Sequence, residues 1–454
     1  MKLLTPRETR AWLRSLAEHR RNSRSSREQI EGNQQRKFRE LVEFARHRSP
    51  FYRDMIAQLH IDPANCSVDD FPVLTKHDVI EHFDRIVTDS RITRRRVEQF
   101  LEQSTDPTEL LDGEFHVVHT SGTSGAVGYY VFSHDAWIKG SSHVVRVSPL
   151  SLCRKRIAYI SVIHGHFAGV SLMLTGNHGT NNLFYNVRPF DVNMPIAPLL
   201  ESLTEFQPHV LAGPAGVLKI LAEAQEAGRL CIRPVFVSNG GEPLTAVTKD
   251  YLTRVFRAPV SSIYASSEHL YMGLQFPDSD GMYLLEDDLI FELHSDHTCV
   301  TNLFNYSMPL IRYRMDDVLV PDEANDGRFP FTKVKELVGR SEEAPVFTNQ
   351  HGEDDFIHPF MILEFFVRGL LAWQIVCLGK TSFVFRAQYE PSLSDQEKQA
   401  ARRGIFERMR SILVQKEMEN VTFEVEEVDA LQVDPRSGKF RMIMTDYLES
   451  GLCA

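Results

Sequence analysis

Between about residues 115 and 270, short apolar runs take turns with stretches of helical periodicity, and few folds accommodate that rhythm. Residues 156–163 read as a buried strand, 197–206 as a helix and 209–212 as a strand. A helix over 215–226, ending at Gly228, leads to a strand over 234–238. A helix from 244 to about 255 and a strand over 260–264 complete the series. Such alternation implies a largely parallel sheet covered on both faces. Ligands of these sheets collect beyond the carboxyl ends of the strands, which directs attention to the loops that follow them.

Two of those loops carry chemistry. Asn239-Gly240-Gly241-Glu242-Pro243 follows one strand, and its glycines let a flat ring such as a purine approach the backbone. A helix N-cap turn explains the same residues. Ala265-Ser266-Ser267-Glu268-His269 follows another strand, where the Glu268 carboxylate could hold Mg²⁺ bridged to phosphates or simply face solvent. A third loop, His119-Thr120-Ser121-Gly122-Thr123-Ser124-Gly125-Ala126-Val127-Gly128, lies between the apolar runs 115–118 and 129–132. Strand, turn, strand is its simplest reading. Its glycines and hydroxyls can turn N–H and O–H donors toward one point, a nest for phosphate oxygens, though an ordinary polar hairpin has the same composition. No Gly-Lys-Ser/Thr follows, so it is not a P-loop.

Residues 1–48 read as helices with a solvated basic face, broken at Ser49-Pro50. Thr75 is placed to cap a helix from Lys76, and Arg91 to Arg96 read as a surface helix start. Beyond 280, runs at 289–293, 299–304 and 310–314 alternate as antiparallel strands of a smaller sheet or barrel, ending at Met315-Asp316-Asp317. After a linker at 338–343 the pattern changes. A strand at 383–386 is followed by a helix from 396 to about 418 with Ala400, Ile405, Met409, Ile412 and Leu413 on one face, then a strand at 421–428. Pro435-Arg436-Ser437-Gly438-Lys439 forms a tight turn.

At 454 residues, 43% hydrophobic, the chain can bury a large core divided between two or more domains. Its formal net charge of −11 argues against a broad basic face for nucleic acid, and no apolar run is long enough to cross a bilayer. The Arg-rich start lacks the apolar stretch of a secretory leader, so a cytoplasmic protein is expected. Six scattered cysteines without a C-x-x-C pair indicate neither a disulfide framework nor a zinc site. His164-Gly165-His166 stands out among eighteen histidines: the pair could line a substrate pocket or bind a metal, though polar loop positions are the commoner reading.

In this order the segments resemble the adenylate-forming superfamily, and most its phenylacetate-CoA ligase and coenzyme F390 synthetase-like branch. Ser49-Pro50-Phe51-Tyr52 and Phe71-Pro72-Val73-Leu74-Thr75-Lys76 resemble that branch's amino-terminal signatures, and Thr120 to Gly125 its phosphate loop. Gly240-Gly241-Glu242-Pro243-Leu244 is similar to the adenine motif. Tyr264-Ala265-Ser266-Ser267-Glu268 is similar to Y-G-x-T-E, and the segment 308–317 to the one ending in the ribose aspartate. Gly339-Arg340 resembles the hinge arginine and Gly438-Lys439 the carboxy-terminal catalytic lysine.

The resemblance implies a large α/β domain over 1–339 of mixed, largely parallel sheets with a smaller antiparallel subdomain, and a small mobile α+β domain over 340–454. It implies ATP-dependent activation of a carboxylic acid to an acyl-adenylate, then transfer to CoA or, alternatively, to an amine or carrier protein. Thr120, Ser121, Gly122, Thr123, Ser124 and Gly125 would hold phosphates. Gly240, Gly241, Glu242 and Pro243 would flank adenine. Tyr264, Ser267, Asp317 and Arg340 would complete the nucleotide site, with Asp317 on ribose. Glu268 would coordinate Mg²⁺, and Lys439 would stabilise charge as the acid attacks the α-phosphorus. His164, His166, Phe167, Phe184 and Tyr185 fall where relatives build the acid pocket, which suits an aromatic acid. Relatives are often dimers, so a homodimer is an expectation too. Two departures stand out: the phosphate loop lacks the usual basic residue, and 341–364 differ from the family's thioester-forming segment.

Overall fold

The computed structural model describes residues 6–120, 127–146, 154–175, 185–322, 327–338, 345–357, 367, 370–391, 393–431 and 443–445. Three helices open it: α1 (Pro6–Asn22), α2 (Arg27–Arg48) and α3 (Pro50–Gln58). Ser26 and Gln29 form a capping box that starts α2. Ser49 then ends α2 and caps α3, with Pro50 in the first turn, where a missing N–H costs nothing. Thr75 caps α4 (Lys76–Glu81) with Asp78 reciprocating, and α5 (Phe83–Ile86) and α6 (Arg94–Gln103) follow. The expected solvated basic face needs correction in part. Lys37 is mostly buried between Glu18 at 2.6 Å and Asp288 at 2.8 Å, because the acidic turn before the later antiparallel strands packs on these helices.

Next come an antiparallel hairpin, β1 (Phe115–His119) and β2 (Tyr129–Ser133), and α7 (His134–Ser141). The alternating region follows as β3 (Lys155–Ser161), α8 (Ala168–Thr175), β4 (Tyr185–Asp191), α9 (Ile196–Phe206), β5 (Val210–Gly213), α10 (Ala215–Glu226), β6 (Phe236–Gly240), α11 (Ala246–Phe256) and β7 (Val260–Ser266). The chain then reverses through β8 (Leu270–Gln275), β9 (Met282–Leu284), β10 (Leu289–Leu293), β11 (Thr298–Asn302), β12 (Tyr313–Met315), β13 (Val318–Pro321) and β14 (Lys333–Val338). Nine strands form one sheet in the order β13-β14-β9-β8-β7-β6-β5-β3-β4. Its β7 to β4 side is parallel, and the rest is antiparallel. β10, β11 and β12 make a separate antiparallel sheet. Only Tyr313–Met315 of the expected strand at 310–314 is extended, since Arg312 adopts φ 51° to reach Glu292 at 2.6 Å and the Phe71 carbonyl at 2.8 Å.

The remaining described residues form a pair, β15 (Val346–Thr348) and β16 (Asp354–Phe356), and a four-stranded sheet. The sheet's order is β19 (Thr422–Glu427), β18 (Ser382–Tyr389), β17 (Leu370–Gly379), β20 (Ile443–Thr445), covered by α12 (Asp395–Gln415). Ala401, Ile405, Met409 and Leu413 form the buried stripe of α12. Ala400, expected there, is exposed: the stripe runs at i, i+4 from 401, one position on.

Burial of Ile160, Leu211 and Val237 against Leu199, Val217 and Leu252 holds the central sheet, each large aliphatic side chain contributing about 1.5–3 kcal/mol. The same apolar cluster continues into Phe347, Phe356, Phe385 and Ile405, so the carboxy-terminal elements share a core with the large sheet. At that seam Lys416 Nζ lies 2.9 Å from Asp355 Oδ1 and donates to the Met194 carbonyl at 2.7 Å. Asp355 Oδ2 accepts the Ile196 N–H at 2.9 Å. No described helix is long and apolar enough to cross a membrane.

Candidate functional site

Parallel strands β6 and β7 end side by side, and their carboxyl ends build the site. Gly240 closes β6, and Gly241 has φ 86°, a left-handed conformation that strains any residue with a Cβ. Asn239 fixes the turn by donating to the Glu242 carbonyl at 2.7 Å and to Ser262 Oγ on β7 at 2.8 Å. Glu242 Oε2 accepts the Gly216 N–H at 2.7 Å, which sets a carboxylate on the amino-terminal turn of α10, where the helix dipole favours it. Glu242 thereby locks the Gly-Gly turn onto the neighbouring helix.

Beyond β7, Ser267 Oγ donates to the His119 carbonyl at 3.1 Å and ties this end to the β1–β2 hairpin. The hairpin loop has a closed neck: Thr120 N–H donates to the Gly128 carbonyl, and Gly128 N–H to Thr120 Oγ1, each at 2.9 Å. Ser121, Gly122, Thr123, Ser124 and Gly125 lie outside the described residues, as do Arg340, Lys439 and Phe184.

Glu268 is buried and aims at the space between the hairpin and β7. Tyr313 Oη donates to its Oε1 at 3.3 Å and lies 2.9 Å from Tyr130 Oη. When Tyr313 gives its proton to Glu268, Tyr130 is the donor of the second pair. Burial, reinforced by the negative charge of Glu268, pushes both phenols well above their ordinary pKa, so they remain neutral donors. No described lysine, arginine or histidine forms an ion pair with Glu268. Across the site, Tyr264 Oη donates to Asp317 Oδ2 at 2.8 Å, and burial likewise keeps Tyr264 protonated.

Two cavities meet here. One, of about 530 Å³, runs from Gly241–Ala246 over Ile263–Ala265 to Asp316, Asp317, Val334 and Lys335. Lys335, at its rim, was not singled out by its sequence context. A second, of about 390 Å³, reaches from His119, Thr120 and Glu268 down among Tyr159, Phe167, Leu172, Phe236 and Tyr271. Gly241, Ile263 and Ala265 line both. The structure thus brings Thr120, Gly240, Gly241, Glu242, Pro243, Tyr264, Ser267, Glu268 and Asp317 around one continuous space.

Of the residues expected in an acid pocket, Phe167 lines the second cavity. His166 is buried elsewhere, with Nε2 3.1 Å from Ser104 Oγ, and its carbonyl accepts the His119 N–H. His164 is exposed, and Tyr185 starts the edge strand β4. Tyr159, Leu172, Phe236 and Tyr271 come from four elements whose apolar patterns look like ordinary core, so no local signal marks them.

The two amino-terminal signatures act as braces. Tyr52 Oη donates to the Pro309 carbonyl at 3.0 Å and accepts the Ile311 N–H at 3.3 Å. Leu74 bridges β12, its N–H on the Arg312 carbonyl at 3.0 Å and its carbonyl on the Arg314 N–H at 2.9 Å. Together they position the strand that carries Tyr313 and leads to Asp317.

No family model matches the sequence. The protein CapK of Staphylococcus aureus is 22% identical over 344 residues, 68% of each chain. Among solved structures, 2-hydroxyisobutyryl-CoA ligase with 2-HIB-AMP and CoA in the thioesterification state superposes with a TM-score of 0.62 at 18% identity, over 94% of this chain and 91% of that one. The same ligase in the postadenylation state with 2-HIB-AMP gives 0.57 at 17% identity, over 95% and 92%. The chain has the fold of the AMP-forming, adenylate-forming ligases.

Proposed function

We propose that the chain activates a carboxylic acid with ATP, releasing pyrophosphate, and passes the acyl group from the adenylate to CoA. One observation carries this reading: a polar cleft and an apolar cavity meet at Gly241, Ile263 and Ala265, with Glu268 facing the junction. A nucleotide in the first and an acid in the second would bring the carboxylate to the α-phosphorus. Positioning of that kind, with neutralisation of the charge that develops on the phosphoryl oxygens, is the main demand of the reaction. The similar ligase crystallised with an acyl-AMP and CoA supports CoA as acceptor.

Asp317, oriented by Tyr264, would accept hydrogen bonds from ribose hydroxyls, and the Gly240-Gly241 turn would lie against adenine. Ser121, Thr123 and Ser124 would donate to phosphate oxygens beyond the neck formed by Thr120 and Gly128. Glu268 fits a hard cation, being a buried carboxylate supported by phenols and without an ion-pair partner among the described residues. Mg²⁺ held there would supply positive charge beside the phosphates. We assign residues 1–339 to the nucleotide- and acid-binding domain, and residues 340–454 to a mobile domain, hinged at Arg340, that would bring Lys439 to the α-phosphate. The aromatic wall of Tyr159, Phe167, Phe236 and Tyr271 supports an aromatic acid, and the use of ATP and CoA supports a cytoplasmic setting.

The test is exchange of pyrophosphate into ATP with a panel of acids, followed by thioester detection on adding CoA. Glu268→Gln keeps the volume and an acceptor for Tyr313 but removes the charge. Exchange should fall by about 10²–10³, the effect of deleting one transition-state electrostatic contact, while the thermal midpoint holds. Undiminished exchange in that variant, or no acid-dependent exchange in the parent protein, defeats the proposal. An acyl-adenylate that forms but yields no thioester removes CoA as the acceptor.

A further inference from the structure

The tip of the β10–β11 hairpin lies apart from both cavities. Its loop spans His294 to His297, closed by the His294 N–H on the His297 carbonyl at 3.0 Å. Side chains alternate across a strand, so His294 shares a face with Glu292, and His297 with Cys299. Register sets Glu292 opposite Cys299, which brings all four onto one face of the hairpin. Glu292 is held by Arg312, with both its oxygens in the pair at 3.0 and 2.6 Å. What remains toward the tip is two imidazoles, their ring centroids 4.4 Å apart, and a buried thiol. One ligating atom from each of the three lies within 4.8 Å of the others.

We propose that His294, His297 and Cys299 form a binding site for a soft divalent cation of the zinc class, separate from the Mg²⁺ position assigned to Glu268. Two imidazole nitrogens and a sulfur suit a tetrahedral d¹⁰ ion and disfavour Mg²⁺ or Ca²⁺, which prefer oxygen ligands. Bonds of about 2.0–2.3 Å require ligand atoms about 3.3–3.8 Å apart, so the three, all within 4.8 Å of one another, need draw together by no more than about 1.5 Å. His294 is exposed, so its ring has room to rotate toward the other two. Asp296 provides the second argument. Its Oδ1 lies 2.7 Å from His297 Nδ1, which holds the ring in the tautomer with Nδ1 protonated and leaves the Nε2 lone pair for a metal. Neither nearby arginine bars a cation, because Arg312 is paired with Glu292 and Arg314 lies 3.6 Å from Asp296. Water would complete the tetrahedron.

The other His/Asp cluster, His19, His143, Asp287 and Asp288, is not such a site. Lys37 and Lys139 already lie 2.8 and 3.0 Å from Asp288, and Arg146 lies 2.7 Å from Asp287. A dication there would have to displace buried cations. At the hairpin, Thr298, between His297 and Cys299, donates from Oγ1 to the Asp317 carbonyl at 2.8 Å. An ion at the tip therefore stiffens the strand that supports Asp317.

The test uses the full chain, stripped of metal and titrated with Co²⁺ and then Zn²⁺, without nucleotide or acid. One equivalent of Co²⁺ should bind with a thiolate-to-cobalt charge-transfer band and tetrahedral d–d absorption, and Zn²⁺ should displace it. His294→Ala alters an exposed side chain, so the fold (checked by circular dichroism) should persist while affinity falls by about 100-fold. Asp296→Asn should weaken binding by about 10–100-fold, as loss of a histidine-orienting carboxylate does. Cys299→Ser should abolish the charge-transfer band. Substoichiometric binding, a spectrum lacking thiolate character, or His294→Ala binding like the parent overturns the proposal. Because the readout needs no ATP or acid, the result stands apart from the ligase assignment.

Discussion

Replacing Lys416 with methionine tests how the carboxy-terminal elements are fastened to the large sheet. Both Lys416 and Asp355 have fully buried side chains. The ammonium also holds the Met194 carbonyl and lies 4.6 Å from the centre of the Phe356 ring. Removing one partner of a buried ion pair leaves the other charge uncompensated, at about 3–5 kcal/mol. Asp355 keeps the Ile196 N–H at the start of α9, and a helix amino terminus supports a carboxylate by up to about 2 kcal/mol. The expected loss is therefore at the lower end, about 3 kcal/mol, read from urea unfolding followed by tryptophan fluorescence and circular dichroism. Asp355→Asn retains an acceptor for Ile196 and removes the second charge. Lys416→Met/Asp355→Asn should thus be more stable than the sum of the single losses predicts, with a coupling of at least about 1.5 kcal/mol. A single-variant loss under about 0.5 kcal/mol, or strict additivity in the cycle, refutes the buried-clasp reasoning.

Two further outcomes follow from buried groups around the site. Burial holds His143 and His269 down to about 3 and His166 to about 4, whereas an unfolded imidazole titrates near 6.5. Between those values the unfolded chain binds protons that the folded chain refuses. Their contribution is complete above about pH 6.5 and declines on acidification by about 1.4 kcal/mol per pH unit for each histidine, until the folded pKa is reached. Urea midpoints at about pH 7 and 5 measure this decline, and His269→Leu should flatten it, since neither ring nitrogen of His269 has a hydrogen-bond partner among the described residues. An equal slope in that variant excludes His269 as a source. In the second case, a Cβ at Gly169 would lie 2.5 Å from Tyr159 Oη, forcing the phenol into the apolar cavity. Gly169→Ala should raise the KM for the acid by about 10-fold or more while leaving that for ATP unchanged, and equal shifts in both would exclude this cavity as the acid pocket.

The sequence disclosed the parts of this molecule whose physics is local. Gly241 is legible as a glycine in the loop after a strand, and Thr75 because a capping hydroxyl works within its own helix turn. Ser49 reads only as a helix break, and its cap on α3 and the left-handed φ of Gly241 come from the structure. The boundaries of α9 and α10 were legible to within a residue, since each has an apolar stripe on one side. Residues acting across long separations were not. Tyr159, Phe236 and Tyr271 become a cavity wall only when three strands register, and each alone is an unremarkable core aromatic. Arg312 interrupts an apparently continuous strand because its partners, Glu292 and the Phe71 carbonyl, lie far off in sequence.

Three lysines show where that boundary falls. Lys439 attracts attention because a glycine precedes it on a turn in a recognisable order of motifs, although it lies outside the described residues. Lys335 lines the cavity of about 530 Å³ from the middle of β14, a strand whose neighbour β9 lies some fifty residues earlier in the chain. Lys416 lies at a helix end, where a basic residue suits the dipole, and nothing in its local sequence singles it out. Its actual surroundings are a carboxylate on β16, a carbonyl before α9 and a phenylalanine ring, brought together by docking of one sheet against another. A fully buried ammonium is tolerated only where such partners converge, so its location identifies the seam between the two sheets. Movement of the carboxy-terminal elements as a unit carries Lys416 and Asp355 together, so it would have to break their hydrogen bonds to the Met194 carbonyl and the Ile196 N–H or carry residues 194–196 along. The Lys416 and Asp355 variants distinguish those alternatives through acid-dependent pyrophosphate exchange. If the clasp opens during turnover, weakening it changes the exchange rate at unchanged KM for ATP; if residues 194–196 travel with it, stability falls and the exchange rate does not.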